Sequence, residues 1–226
     1  MRYRNILAVS EIDQDQSFSS RPWAAVLQAP VPALILASQS AARAALLRGA
    51  GLVFETRPAR VDEAVLKSAA RTEGASAEDA ALLLAGVKAA RVRDLDALVI
   101  GADQILVCEE RWFDKPVDPA EARAHLLALR GRVHELATAV VCHRGGREVW
   151  RHVARPRLAM RAVSDAFLDA YLAAEGDAVL GSVGAYRLEG LGIQLFDRVD
   201  GEHAAILGLP LLPLLAFLRG HGLLLA

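Results

Sequence analysis

Apolar and polar positions alternate along the chain in short blocks, and a regular pattern begins at Ala33. Ala33-Leu34-Ile35-Leu36-Ala37 has no polar position and is predicted to be a strand buried on both faces. Residues 40–50 are predicted to form a helix closed by Gly49 and Gly51, and residues 53–61 an extended segment. Residues 76–92 read as a helix with Ser76 as N-cap and Leu82, Leu83, Val87 and Ala90 on its apolar face. Residues 97–108 read as a long strand. Asp118-Pro119-Ala120-Glu121 places a cap, a proline at the first helical position and an acid at the third, which opens a helix ending at Gly131. Residues 133–142 and 148–160 flank Arg144-Gly145-Gly146-Arg147 and read as two strands joined by a tight turn. Ser164 caps a helix that Gly176 ends, residues 181–192 are glycine-rich, residues 193–199 read as a strand and residues 209–219 as a terminal helix. Alternation of this kind defines an α/β domain, and no repeat or long linker divides it.

Residues 1–31 lack this periodicity and carry a polar patch at residues 13–20, so they read as an N-terminal extension to a domain of residues 32–226. Two accounts of the extension are open: a segment without fixed structure, or an assigned start upstream of a true one near Val31. The apolar run Ile6-Leu7-Ala8-Val9 is too short for a secretory signal. The most apolar stretch, residues 204–218, falls short of the roughly 20 residues a bilayer span needs and contains Pro210 and Pro213. It is expected to be a buried loop and helix, so no membrane association is expected.

With 26 basic against 27 acidic side chains the formal net charge is -1, which removes the long-range positive field that draws proteins to nucleic acid. Any anion recognition must therefore be local. Cys108 and Cys142 are too few for a disulfide framework and lack metal-ligand spacing, as expected of a reducing compartment. Of the 26 cationic side chains only Lys67, Lys88 and Lys115 are lysines, which makes each of them conspicuous.

Four places break the local rules. The helix opened by Ser38-Gln39-Ser40-Ala41-Ala42-Arg43 has no acid in its first turn and carries Arg43 at the positive end of the dipole. A bound phosphate would resolve that conflict; the plain alternative is a serine cap with Arg43 in solvent. Asp103 lies in an apolar strand, where an unpaired carboxylate costs several kcal/mol. It is expected to be paired, protonated or bound to a metal; the plain alternative is a structural acid bonded to backbone amides at a strand break. Lys115, held extended by Pro116, suggests that a compact ammonium is wanted on this loop, with chance as the alternative, and Lys88, beside Ala85, Gly86 and Ala89, raises the same question against a solvated helix face. Glu189 sits in the run from Gly184 to Gly192, either against a nucleotide base or exposed on a hairpin. Asp62-Glu63 adds two carboxylates that with Asp103 suit a hard divalent cation, although Asp62 also suits a helix cap.

Taken in order, these segments resemble the Maf family of nucleoside triphosphate pyrophosphatases over about residues 33–220. The matching pieces are Leu34-Ile35-Leu36-Ala37-Ser38-Gln39-Ser40 with Arg43, Val61-Asp62-Glu63, Leu84-Ala85-Gly86-Val87-Lys88-Ala89, Ile100-Gly101-Ala102-Asp103-Gln104 and Lys115-Pro116. They continue with Gly131-Arg132-Val133-His134 and Thr138, Gly184-Ala185-Tyr186, Glu189-Gly190-Leu191-Gly192 and Gly208-Leu209-Pro210-Leu211. The resemblance implies a single α/β domain with an elongated mixed sheet flanked by helices and a deep cleft between two lobes. It implies hydrolysis of a nucleoside triphosphate to the monophosphate and pyrophosphate with Mg²⁺ or Mn²⁺, in the cytoplasm, often by a homodimer.

By the same resemblance Asp103 is the general base and a metal ligand with Glu63, while Ser38, Ser40, Arg43, Lys88 and Lys115 bind the triphosphate. Substrate choice maps to Ala42, Gln104 and Glu189. Gln104 and Glu189 match the group preferring 7-methyl-GTP, whereas Ala42 matches neither that group nor the one preferring dTTP and UTP. Ala41 replaces the usual proline, and Ala44 stands where many members carry an arginine. Two rival functions follow from that depleted loop and from the shared phosphate chemistry: a nucleotide-binding regulator with little turnover, and a hydrolase of another phosphoanhydride.

Overall fold

The computed structural model describes residues 27–226. The bulk of the extension therefore lies outside the described residues. Its last residues pair with the C-terminal segment: Ala29 N–H donates to Leu223 O at 2.9 Å, and Leu225 N–H to Leu27 O at 3.0 Å.

In chain order the elements are β1 (Leu34–Leu36), α1 (Ala41–Gly49), β2 (Glu55–Thr56), α2 (Glu63–Thr72), α3 (Ala77–Arg91), β3 (Leu98–Cys108) and β4 (Arg111–Phe113). They continue with α4 (Pro119–Leu129), β5 (Val133–Arg144), β6 (Arg147–Ala154), β7 (Arg157–Met160), α5 (Asp165–Glu175), β8 (Phe196–Asp200), α6 (His203–Ile206) and α7 (Leu211–Gly220). Five helices begin by one device. Ser40, Asp62, Ser76, Asp118 and Ser164 each accept a hydrogen bond from the backbone amide three residues on, satisfying a donor with no partner inside the helix.

The strands form one mixed eight-stranded sheet in the order β2-β1-β3-β5-β7-β8, with β4 on β3 and β6 on β5. Its spine is the antiparallel pair β3 and β5, in register from Val99 opposite His143 to Val107 opposite Glu135. The other side of β3 changes partner. Parallel β1 covers Leu98 to Ile100 and antiparallel β4 covers Leu106 to Cys108, so among the described residues no strand covers residues 101–105 on that side. Asp103 and Gln104 lie in this gap, beyond the carboxyl end of β1, where α/β sheets open to ligands.

Separate cores flank the gap. One packs β1, α1 and α7 against Ile100, Ala102, Val140 and Cys142; the other packs α4 and α5 against Leu106, Leu136, Leu158 and Met160. These are the two lobes expected from sequence. The apolar residues 204–218 become the loop and helix of the first lobe, with Leu209, Leu214 and Leu218 buried. Among the described residues no helix is long and apolar enough to cross a membrane.

Residues 53–61 contain no helix, and Glu55–Thr56 among them pair as β2. Three sequence expectations need correction. Residues 148–160 form two strands, β6 and β7, interrupted at Arg155-Pro156, since proline cannot donate to the ladder. Residues 191–195 are a 3-10 turn, and β8 begins at Phe196. The apolar face assigned to α3 is also wrong: Leu83 is 45% exposed, and the helix buries Ala80, Ala81, Leu84, Ala85, Lys88 and Ala89. Gly101 supplies the reason. A Cβ there would lie 2.1 Å from Ala85 O and 2.8 Å from Ala89 N, so strand and helix backbones approach closely at these two alanines, which sets the face of Ala85 and Ala89, and not that of Leu83, against the sheet.

Candidate active site

That close approach sets the central contact. Lys88 projects from the buried face of α3 onto Asp103 of β3, with Nζ donating to Oδ1 at 2.5 Å, and both side chains are buried. Glu63 Oε1 lies 2.7 Å from the same ammonium. Glu63 opens α2, whose start is set by Asp62, an N-cap accepting from Val65 N–H at 3.1 Å. Burial pushes the Glu63 carboxyl up, but Lys88, with smaller contributions from Lys67 and Lys115, outweighs it and leaves the pKa below the ordinary value. Asp103 Oδ2 is buried and has no hydrogen-bond partner among the described residues. Such an atom calls for water, a proton or a cation.

The β1–α1 junction supplies the next wall. Ser40 caps α1 by accepting from Arg43 N–H at 3.3 Å, and no acid occupies the first turn. The alternative of Arg43 in solvent is excluded. Its guanidinium turns inward, donating from Nε to Gly208 O at 2.7 Å and from NH1 to Ser38 Oγ at 3.2 Å. Burial lowers its pKa, opposed by the charges of Asp103 and Glu63. Gly208 has φ +101°, and a Cβ there would sit 3.2 Å from Arg43 Nε, which ties the Gly208-Leu209-Pro210 motif to this arginine.

Gln104 has a forced orientation. Its Nε2 donates to Thr138 Oγ1 at 2.8 Å, Ala205 O at 3.0 Å and Ile206 O at 3.1 Å. Two backbone carbonyls require a nitrogen at that position, so the amide oxygen is the atom left for a ligand. Glu189, exposed and in reach of the Arg187 Nε at 3.3 Å, is a second acceptor, and it stands in a chain of 3-10 turns where a hairpin was the plain alternative. Lys115 occupies the loop after β4. Desolvation by the cleft walls and repulsion from Arg43 and Lys88 lower its pKa.

All these groups line one cleft of about 980 Å³, which also includes Ser38, Ser40 and Ala42. The structure thus brings together every residue singled out for the site. It adds Lys67, Arg60 and Asp114, which local sequence reading did not place there. Lys67 Nζ pairs with Asp114 Oδ1 at 2.7 Å, on the same helix as Glu63 and one residue before Lys115. The scarcity of lysine was the available signal: all three lysines face this cleft. Tyr186, also lining it, bonds to buried His134 at 3.0 Å, and burial lowers the His134 pKa to about 4.

A sheet opened between parallel and antiparallel partners, with cations and two carboxylates in the opening, defines an α/β protein built around a polyanion-binding cleft. The chain belongs to the Maf-like protein family, whose family model matches residues 33–221. It is 57% identical over 190 residues to the nucleoside triphosphate pyrophosphatase of Granulibacter bethesdensis, covering 83% of this chain and 96% of that protein. It is 50% identical over 202 residues to the nucleoside triphosphate pyrophosphatase of Rhodospirillum rubrum, covering 88% and 100%. Against the 7-methyl-GTP pyrophosphatase of Rhizobium meliloti it is 50% identical over 193 residues, covering 84% and 97%.

Proposed function

We propose that this chain is an enzyme that hydrolyses nucleoside triphosphates to the monophosphate and pyrophosphate, with a preference for guanine bases of the 7-methyl-GTP kind. The names of its relatives support the reaction. The observation that carries the site is the buried Lys88 ammonium between Asp103 and Glu63, beside an unpartnered Asp103 oxygen.

In this reading Arg43, Lys88 and Lys115, with the Ser38 and Ser40 hydroxyls, hold the triphosphate and neutralise charge that develops on it. A carboxylate offers about four acceptor positions, and Lys88 uses one on Asp103. Asp103 Oδ2 accepts a proton from water as the water oxygen bonds to the α-phosphorus. The bond from that phosphorus to the α–β bridging oxygen breaks, and its electrons leave with pyrophosphate. Asp103 and Glu63 would also hold Mg²⁺ or Mn²⁺. The buried Asp103 Oδ2, with no hydrogen-bond partner among the described residues, suits a cation bound through one or two carboxylates, water and substrate phosphates. When bound, such a cation withdraws charge from the phosphoryl oxygens.

Base preference follows from the two acceptors. Guanine offers adjacent N1–H and N2–H donors to the Glu189 carboxylate, while uracil and thymine flank one N–H with carbonyl oxygens that a carboxylate repels. The reading places the chemistry in residues 32–226, in the cytoplasm and in a homodimer; sedimentation of the purified chain checks the last.

The deciding experiment is a panel of GTP, 7-methyl-GTP, UTP and dTTP with Mg²⁺ or Mn²⁺, with identification of products. Release of pyrophosphate, fastest from guanine substrates and lost in Asp103→Asn, is expected. Binding without turnover would favour the regulator, and cleavage between the β and γ phosphates would overturn the assigned reaction.

A further inference from the structure

The turn that carries Glu189 is held by a carboxylate belonging to none of the motifs above. Glu175, the last residue of α5, keeps only 6% of its side chain exposed, and a buried carboxylate requires donors. Each of its oxygens has one. Oε1 accepts from Leu191 N–H at 2.8 Å, and Oε2 accepts from Arg187 NH1 at 2.9 Å. These donors stand on either side of Glu189. Arg187 continues through Nε to Glu189 Oε1 at 3.3 Å, so one guanidinium joins the buried carboxylate to the exposed one. Tyr171, one turn earlier on α5, accepts from Arg187 N–H at 3.3 Å.

Two glycines show how closely the turn is drawn in. A Cβ at Gly190 would lie 2.7 Å from Glu175 Oε1, and one at Gly192 would lie 2.4 Å from Arg187 O. The turn is therefore shaped around Glu175. An exposed ion pair such as Arg187 with Glu189 holds a side chain weakly by itself. Anchored to a buried carboxylate that also grips the backbone at Leu191, the same arginine has a fixed origin.

We propose that Glu175 is a positioning residue for base selection, holding Glu189 at the cleft through Arg187 and the Leu191 amide. The inference rests on Glu189 meeting the base. Loss of Glu175 frees the turn, so a guanine nucleotide meets a mobile acceptor and binds less tightly, while the phosphate subsite is untouched.

The test measures kcat and KM for GTP and UTP in the full chain and in Glu175→Gln, Arg187→Met, Gly190→Ala and Glu189→Gln. Glu175→Gln is expected to lower the GTP to UTP ratio of kcat/KM about tenfold, mainly by raising KM for GTP. Arg187→Met keeps the Leu191 contact and is expected to shift the ratio the same way by less. Melting temperatures check folding. If Glu175→Gln does not fold, Gly190→Ala carries the test, because its Cβ displaces the Glu175 carboxylate and is expected to lower the same ratio. Loss of preference in Glu189→Gln with a wild-type ratio in the other three overturns the inference and leaves the reading of Glu189 standing. An equal loss on both nucleotides in Glu175→Gln also overturns it, since that is a general structural effect. A Glu189→Gln protein that keeps the preference overturns the reading of Glu189 itself.

Discussion

Lys88 Nζ and Asp103 Oδ1 are 2.5 Å apart in the gap between β1 and β4, and Glu63 Oε1 lies 2.7 Å from the same nitrogen. Removing one member of a buried pair strands the other, at a cost of about 3–5 kcal/mol. Lys88→Met is therefore expected to lower stability by that order and to suppress pyrophosphate release. Asp103→Asn added to Lys88→Met is expected to recover part of the stability and none of the activity. Denaturant unfolding of the single and double variants measures this non-additivity.

Gly101 connects that contact to the fold. Ala85 O would be 2.1 Å from a Cβ at this position, a backbone atom that cannot swing aside. Gly101→Ala is expected to push α3 from β3 and separate Lys88 from Asp103, with a stability loss of about 1–3 kcal/mol and a loss of activity. Unfolding and turnover should fall together. A Gly101→Ala protein with wild-type turnover would show that the close approach does not set the Lys88 contact.

His134 gives the fold a pH dependence. Burial lowers its pKa to about 4 from an ordinary value of 6.5. In the unfolded chain the ring takes a proton near pH 6.5, whereas in the folded chain it does so only near 4. Between those values the unfolded state binds more protons, so the contribution is present above pH 6.5 and lost as pH falls through about 4. Its size is of the order of 3 kcal/mol. His134→Gln is expected to flatten this part of the profile, which denaturation midpoints at pH 7.5 and about 4.5 would reveal by comparison with the wild type.

Lys67 is expected to assist triphosphate binding without taking part in the chemistry. Its side chain is 14% exposed, and its charge is shared with Asp114. Lys67→Met should raise KM for the triphosphate by about fivefold or less and leave kcat nearly constant, the size of one partly screened charge interaction. The difference from wild type should shrink as salt is added. A fall in kcat with KM constant would instead place Lys67 in the transition state.

Local sequence determined a large part of this protein. Helix starts at Ser40, Ser76, Asp118 and Ser164 were legible because a cap and the amide it satisfies lie within three residues of each other. The two long strands and the turn at Gly145-Gly146 were legible for the same reason, with both glycines at positive φ. Asp103 and Arg43 stood out because each contradicts its own element: a charge in a buried strand, a cation at a helix start.

Only tertiary structure decided which face of α3 is buried, that Lys67 belongs with Lys88 and Lys115, and that Glu175 underlies Glu189. The buried face of α3 depends on a missing Cβ on another element, Gly101 of β3. The cleft is joined by contacts such as Arg43 to Gly208 O, 165 residues apart in the chain. Capping and alternation act over a few residues and fix what each segment becomes. The charges of the cleft act over a few ångströms, and only the path of the folded chain decides which of them become neighbours.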